Sequence, residues 1–248
     1  MGNVRKIFLI ILLFTNLLST GQNKKVPLVV SAAIESNTFP FSKGKVFTSD
    51  GQTEEGQLQY NVMEEFLILQ LGAESKTYYP KKTRGFSFWD EEAGQERVYV
   101  TLPWENPANN LIQSAFFEIL REFKTFSLLS TRHLLDAVAV PIGLPPNSNT
   151  NVIPIGTRTK IKYQETICFI DEAGNLEPYV NIVNTEKDGI ITDDFRSKRK
   201  NLNADLVEKY TGIYYEKLRK YSKENHLNFK SKQELLKILD YYGTLEVR

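Results

Sequence analysis

From residue 42 onward, apolar positions recur in short runs with a period near two. Val46 and Thr48 lead into Ser49-Asp50-Gly51-Gln52, and the alternation resumes through Leu58 and Tyr60. Side chains on a strand alternate between two faces, so this pattern predicts a half-buried strand pair. Asp50-Gly51 at its centre predicts a tight hairpin with positive φ at both turn residues. Gly44 and Gly56 flank it and mark bulges or close backbone approach. Phe66–Leu71, Lys76–Tyr79 (ended by Pro80), Gly85–Trp89 and Arg97–Leu102 add four more strands. Their spacing of about ten residues is an all-β rhythm. Ala115–Leu129 (AFFEILREFKTFSLL) fits either an amphipathic helix or a hairpin turning near Arg121–Lys124. Its aromatic content favours the hairpin. Another hairpin is expected from Thr166–Ile170 through Glu172-Ala173-Gly174-Asn175 to Leu176–Val180.

Two segments break this rhythm. Residues 139–156 carry Pro141, Gly143, Pro145, Pro146, Pro154 and Gly156, and read as a long loop. After residue 195 the period becomes helical. Leu206 and Tyr210 fit one short helix, Thr211-Gly212 a break, and Tyr214, Leu218 and Tyr221 a second helix. Leu235, Ile238, Leu239 and Tyr242 form one apolar helical face. Ser231 and Glu234 are spaced as a capping box ahead of it, and Gly243 is placed to close it as a left-handed cap. The predicted fold class is α+β, with an antiparallel β-rich body followed by a C-terminal helical segment.

The first residues follow a different logic. Arg5 and Lys6 precede the apolar run Ile7–Leu18, and Ser19-Thr20-Gly21 offers small residues before a cut at Gln22. This is the order of a secretory signal peptide. The organisation expected is a signal peptide over 1–21, an N-terminal extension over 22–41, a β-rich domain over 42–195 and a basic helical tail over 196–248. The cut is not followed by cysteine, so no lipid anchor is expected, and no later stretch predicts a transmembrane helix. The expected location is periplasmic or extracellular.

Composition narrows the chemistry. The chain has 248 residues, with 41% hydrophobic and 25% charged, ordinary values for a globular protein. Lys+Arg (31) nearly balances Asp+Glu (30), which gives no overall charge to attract nucleic acid. The balance conceals a division: residues 22–195 carry 16 basic and 23 acidic side chains, net −7, and residues 196–237 carry 12 and 5, net +7. One cysteine, Cys168, excludes an internal disulfide framework and a cysteine-based zinc site, and it reads as a small buried residue. There is no P-loop, dinucleotide fingerprint or HExxH motif.

The remaining candidates are few. His133 and Asp136 lie three apart near Ser130 and Thr131, a weak hydrolase constellation without a nucleophile elbow. Asn184, Glu186, Asp188 and Gly189 imitate the start of a calcium loop. The twelfth position, which needs a bidentate carboxylate, is Phe195, so no metal is expected. Phe86, Phe88, Trp89, Tyr99 and Trp104 are either core rings or a platform for a glycan. Arg196, Lys198, Arg199 and Lys200 form the densest charge run and are the candidate contact with an acidic partner or an anionic surface.

Several of these pieces occur together in a recognisable order. The hairpin has the form G-x-V…D-G-x-x-x-x-G-x-L-x-Y over Gly44–Tyr60. YYP, GFSF, FFEIL and TICFIDEAGNL follow, and then a basic helical segment ending near Tyr241-Tyr242. This order resembles a group of exported Bacteroidota proteins that have a small β-region and a basic helical tail, followed in some members by an outer-membrane barrel. The chain departs from it in its Pro-rich loop. The group has no assigned activity, so the resemblance implies an address and an architecture and adds no site and no cofactor. The function expected from the sequence is a non-enzymatic envelope protein acting through protein or surface contacts. A glycan-binding β-module and, behind it, a hydrolase are the alternatives.

Overall fold

The computed structural model describes residues 38–62, 64–105, 110–142, 156–187, 190–192, 203 and 205–246. The expected signal peptide, most of the expected N-terminal extension and the run Arg196–Lys200 lie outside the described residues, as do positions 143–155. Eleven strands form one antiparallel sheet: β1 (Ser42–Thr48), β2 (Thr53–Asn61), β3 (Phe66–Leu71), β4 (Glu74–Tyr78), β5 (Thr83–Asp90), β6 (Gln95–Glu105), β7 (Ile112–Glu122), β8 (Phe126–Ile142), β9 (Gly156–Asp171), β10 (Leu176–Lys187) and β11 (Ile190–Thr192). Their order is β11-β10-β9-β8-β7-β6-β5-β1-β2-β3-β4. Every connection is a hairpin except β4 to β5, where the chain passes through a 3₁₀ turn at Pro80–Lys82 and returns to pair with β1. Helices α1 (Asp205–Thr211), α2 (Tyr215–Glu224) and α3 (Lys232–Glu246) end the chain.

The two-fold alternation was well read. β3 coincides with the expected Phe66–Leu71, and Ala115–Leu129 is the β7–β8 hairpin rather than a helix. The β1–β2 turn differs in detail. Only Gly51 takes positive φ (93°), because Thr48 N–H donates to the Gln52 carbonyl and the loop closes around three residues instead of two. The close approach expected at Gly56 is present: a Cβ there would lie 2.2 Å from the Gln70 carbonyl oxygen, and one at Gly85 would lie 2.2 Å from that of Tyr99. Backbone cannot yield as a side-chain tip can. Gly85→Ala is therefore expected to cost about 1–3 kcal/mol in urea unfolding, the usual range for overpacking. The long loop is shorter than the sequence suggested. Backbone pairing carries β8 to Ile142 opposite Gly156, so Ala139–Ile142 is strand despite Pro141.

The sheet is strongly coiled. The rings of Tyr60 on β2 and Phe116 on β7 lie 5.8 Å apart, although β1, β5 and β6 separate the two strands in the ladder. Four flat steps would put them about 19 Å apart. The inner face thus wraps around one apolar core of Val46, Leu58, Tyr60, Leu69, Phe86, Phe88, Tyr99 and Phe116. Beyond β7 the same face opens and is covered by the helices. There Phe126, Leu128, Ile167, Phe169, Tyr179 and Val180 pack against Leu206, Leu218, Ile238, Leu239 and Tyr242. A bulge between Pro178 and Val180 makes this layer possible: Tyr179 is an extra residue, and it and Val180 are both buried in the helix-covered core. The basic helical segment is therefore held to the body by apolar packing, with exposed ion pairs such as Lys209–Glu177 at its margin. Such exposed pairs contribute little.

Two expected helix signals act differently. Glu234 does not box with Ser231. A turn in which Ser231 N–H donates to the Asn228 carbonyl brings the Asn228 N–H onto the Glu234 carboxylate, at 2.6 Å. Gly243 does not end α3, which runs to Glu246. The glycine instead lies against Phe123, whose ring would be 3.6 Å from an added Cβ. No helix among the described residues is long and apolar enough to cross a membrane.

Candidate functional site: a charged seam on the inner face

Between the coiled core and the helix-covered core, the inner face turns polar. Register places these residues in one band. Tyr99 stands opposite Glu118, Glu118 opposite Ser130, and Arg132 opposite Glu165. Cross-strand partners share a face, so β6 to β9 each contribute to a single row or its neighbour.

The seam has two halves. In the first, Arg97 donates through Nε to Asp90 Oδ2 at 2.5 Å and through Nη1 to Glu118 Oε1 at 2.9 Å. Phe39 lies 5.0 Å beneath its guanidinium. In the second, Glu165 Oε1 accepts Lys232 Nζ at 2.6 Å and Ser130 Oγ at 2.7 Å, with Arg132 Nε at 3.6 Å. Lys232 is the first residue of α3, so this half ties the helical layer to β8 and β9. Burial alone would raise the Glu165 carboxyl. The Lys232 and Arg132 charges outweigh it and hold the group at about 2. Burial likewise opposes the charge of Arg132, and Glu165 more than restores it. The cations face outward relative to their partners: Arg132 keeps 28% of its side-chain exposure against 7% for Glu165.

Glu65 completes the arrangement. It sits in the β2–β3 turn with φ +51°, a strained value for a residue with a Cβ. Its carboxylate accepts the Phe116 N–H of β7, while Oε1 is buried without a partner. Burial raises this carboxyl to about 7. No sequence pattern marks Glu65, because it is one of two adjacent glutamates in a polar turn. The seam's other members are single charged residues in alternating strands, and only long-range pairing gathers them.

The residues singled out from the sequence fall elsewhere. Asp188 lies outside the described residues, as do Arg196, Lys198, Arg199 and Lys200. Asn184 and Glu186 stand in β10, backbone-paired to β9, and Ile190–Thr192 pair back on β10 as β11, so strands flank the stretch that imitates a calcium loop. His133 is in a strand, not on a helix. It is buried on the outer face, its ring stacked at 5.8 Å on Trp104, and burial lowers it to about 4. Ser130 is on the opposite face, donating to Glu165, and a bulge at residue 135 separates His133 from Asp136. The structure therefore does not bring His133 and Ser130 together. Of the aromatic group, Phe86, Phe88 and Tyr99 are core, and Trp104 packs against Phe117 and His133. Trp89 is 44% exposed. Cys168 is fully buried, and burial pushes its thiol well above the usual range.

Chemically, the seam can hold strands, helices and the β2–β3 turn in fixed relation, and it presents arginine and lysine edges to water. The chain matches no family model, no curated protein and no solved structure.

Proposed function

We propose that this chain is an exported, non-enzymatic envelope protein, periplasmic or secreted, that works through contacts with a protein or an anionic surface. The fold reading that accompanies it is an α+β body with a basic helical segment. Arg196, Lys198, Arg199 and Lys200 are the contact residues in this reading. The observation that supports it is the state of Glu165. A general acid or base works best with a pKa near the operating pH. Glu165, held at about 2 and fixed from Ser130, Lys232 and Arg132, stays ionised and immobile at neutral pH. It is built to hold a structure together rather than to pass protons. Glu65 titrates near neutrality, but its unpaired oxygen is sealed from solvent and its carboxylate is occupied by Phe116. The address rests on the leader pattern and on the resemblance described above.

The test is retention of the mature chain on envelope preparations from its native host, with and without Lys198, Arg199 and Lys200 replaced by Gln. Retention should fall as salt rises from roughly 0.05 to 0.3 M, since screening shortens the reach of exposed charges. The triple variant should lose most of it. Equal retention of the two proteins, or none of either, would overturn the reading.

A further inference from the structure

β8 leaves β7 early. Their ladder stops at Glu118↔Ser130, and among the described residues no strand pairs with β7 on that side from Ile112 to Phe117. Phe116 lies two residues past the last rung. Its N–H is met by the Glu65 carboxylate, which comes from the β2–β3 turn. A side chain thus takes the place of a strand at this edge. The turn is anchored at its β2 end, where Asn61 Oδ1 accepts the Glu64 N–H at 2.9 Å. Its other contact with β7 is made at a cost. Glu65 is held at φ +51°, and its Oε1 is buried without a hydrogen-bond partner.

Among the described residues no cation pairs with this carboxyl. Its field meets those of Tyr99 on β6, Glu118 on β7 and Arg132 on β8 around the Tyr60 ring of β2. Arg132 faces Glu165, and Arg97 is held by Asp90 and Glu118. Glu64, beside it in the turn, is exposed. A neutral carboxyl can accept the Phe116 N–H and leave the second oxygen buried at modest cost. An ionised one puts a charge where that oxygen has no donor, and burying such a charge is far more costly. Releasing the turn returns the charge to water and relieves the φ of Glu65.

We propose that Glu65 is a pH-sensitive latch: protonated, it holds the β2–β3 turn on β7, and ionised, it lets the turn go and frees the Phe116 edge while the rest of the fold stays intact. The proposal does not depend on the function proposed above. Burial raises the carboxyl from 4.5 to about 7 in the closed form. Closing is therefore most favoured below pH 4.5, weakens as pH rises and is weakest above about 7. Across that interval the open population should grow roughly 300-fold. Native-state hydrogen exchange of the full-length chain tests this, read at the Phe116 amide from pH 5 to 8 with each rate divided by its intrinsic value. The opening constant should climb with pH in the unmodified chain and stay level in Glu65→Gln. His133 titrates in both proteins and drops out of the comparison. At low urea the Phe116 amide should exchange at a rate that urea does not change, while the buried amides of α3 around Ile238 and Leu239 exchange faster as urea is added. A pH-independent opening constant, or an equal climb in the Gln variant, would overturn the proposal. So would a Phe116 amide that follows urea as α3 does, since the opening would then be global unfolding.

Discussion

Lys232→Met is expected to destabilise the protein by about 3–5 kcal/mol, the cost of leaving a buried charge without its partner. Lys232 and Arg132 both hold Glu165, and Lys232 is the closer at 2.6 Å. Removing it leaves the carboxylate in a low-dielectric site with Ser130 and a distant guanidinium. The loss should shrink as pH falls, because protonating Glu165 removes the uncompensated charge. Lys232→Arg should restore most of the stability. Glu165→Gln added to Lys232→Met should recover part of it, since a neutral amide costs less to bury. The unmodified protein has the opposite acid dependence. Its Glu165 is depressed from 4.5 to about 2, so its contribution is present above pH 4.5 and is lost as pH falls towards 2. Urea unfolding across pH 2 to 8 reads both trends.

Glu65 gives the second large effect, with the reverse sign. Its carboxyl is raised from 4.5 to about 7 in the folded protein. The unfolded chain releases this proton more readily, so the folded state binds more protons between those values. Its contribution to stability is therefore full below pH 4.5, declines as pH rises, and is gone above about 7. The displacement corresponds to roughly 3 kcal/mol. The groups whose fields meet around Tyr60 are Tyr99, Glu65, Arg132 and Glu118. Glu65 has its ionisation placed near neutrality. Between pH 4.5 and 7 the Glu65→Gln variant should gain stability relative to the unmodified chain, and it should be the more stable of the two at pH 8. A stability difference between the two proteins that does not change with pH would assign the effect to another group. His133, lowered to about 4 by burial, adds the opposite slope over nearly the same range, so the Glu65 contribution is read from the difference between the two proteins.

The legibility of the fold followed the range of the interactions that make it. Strand runs such as Phe66–Leu71 and the helical face Leu235–Tyr242 were readable because periodicity is local and each element buries one face. The Asp50-Gly51 signal located its hairpin correctly, but the turn type was set by Thr48 and Gln52 closing a wider loop. Gly243 and Ser231–Glu234 obeyed no local rule, since Phe123 from the β7–β8 turn and Asn228 from the preceding turn compete for those positions. Charge asymmetry set the basic segment apart from the acidic body. It did not show that the helices pack on the sheet through apolar side chains, with Leu218, Ile238 and Leu239 in one cluster with Phe169 and Tyr179. The seam was invisible for a different reason. Asp90, Arg97, Glu118, Arg132, Glu165 and Lys232 span 142 positions of sequence, and they meet only because the sheet coils and α3 folds back over it.

The ionisation of individual glutamates reads whether the inner-face charges lock the fold. Carboxyl carbon NMR of the full-length protein, titrated from pH 2 to 9 and assigned with Glu165→Gln and Glu65→Gln, reads each site. The account predicts a Glu165 signal that stays ionised down to about pH 2, and a Glu65 signal that titrates near 7. Both signals moving together near pH 4.5, as solvated glutamates do, would contradict it.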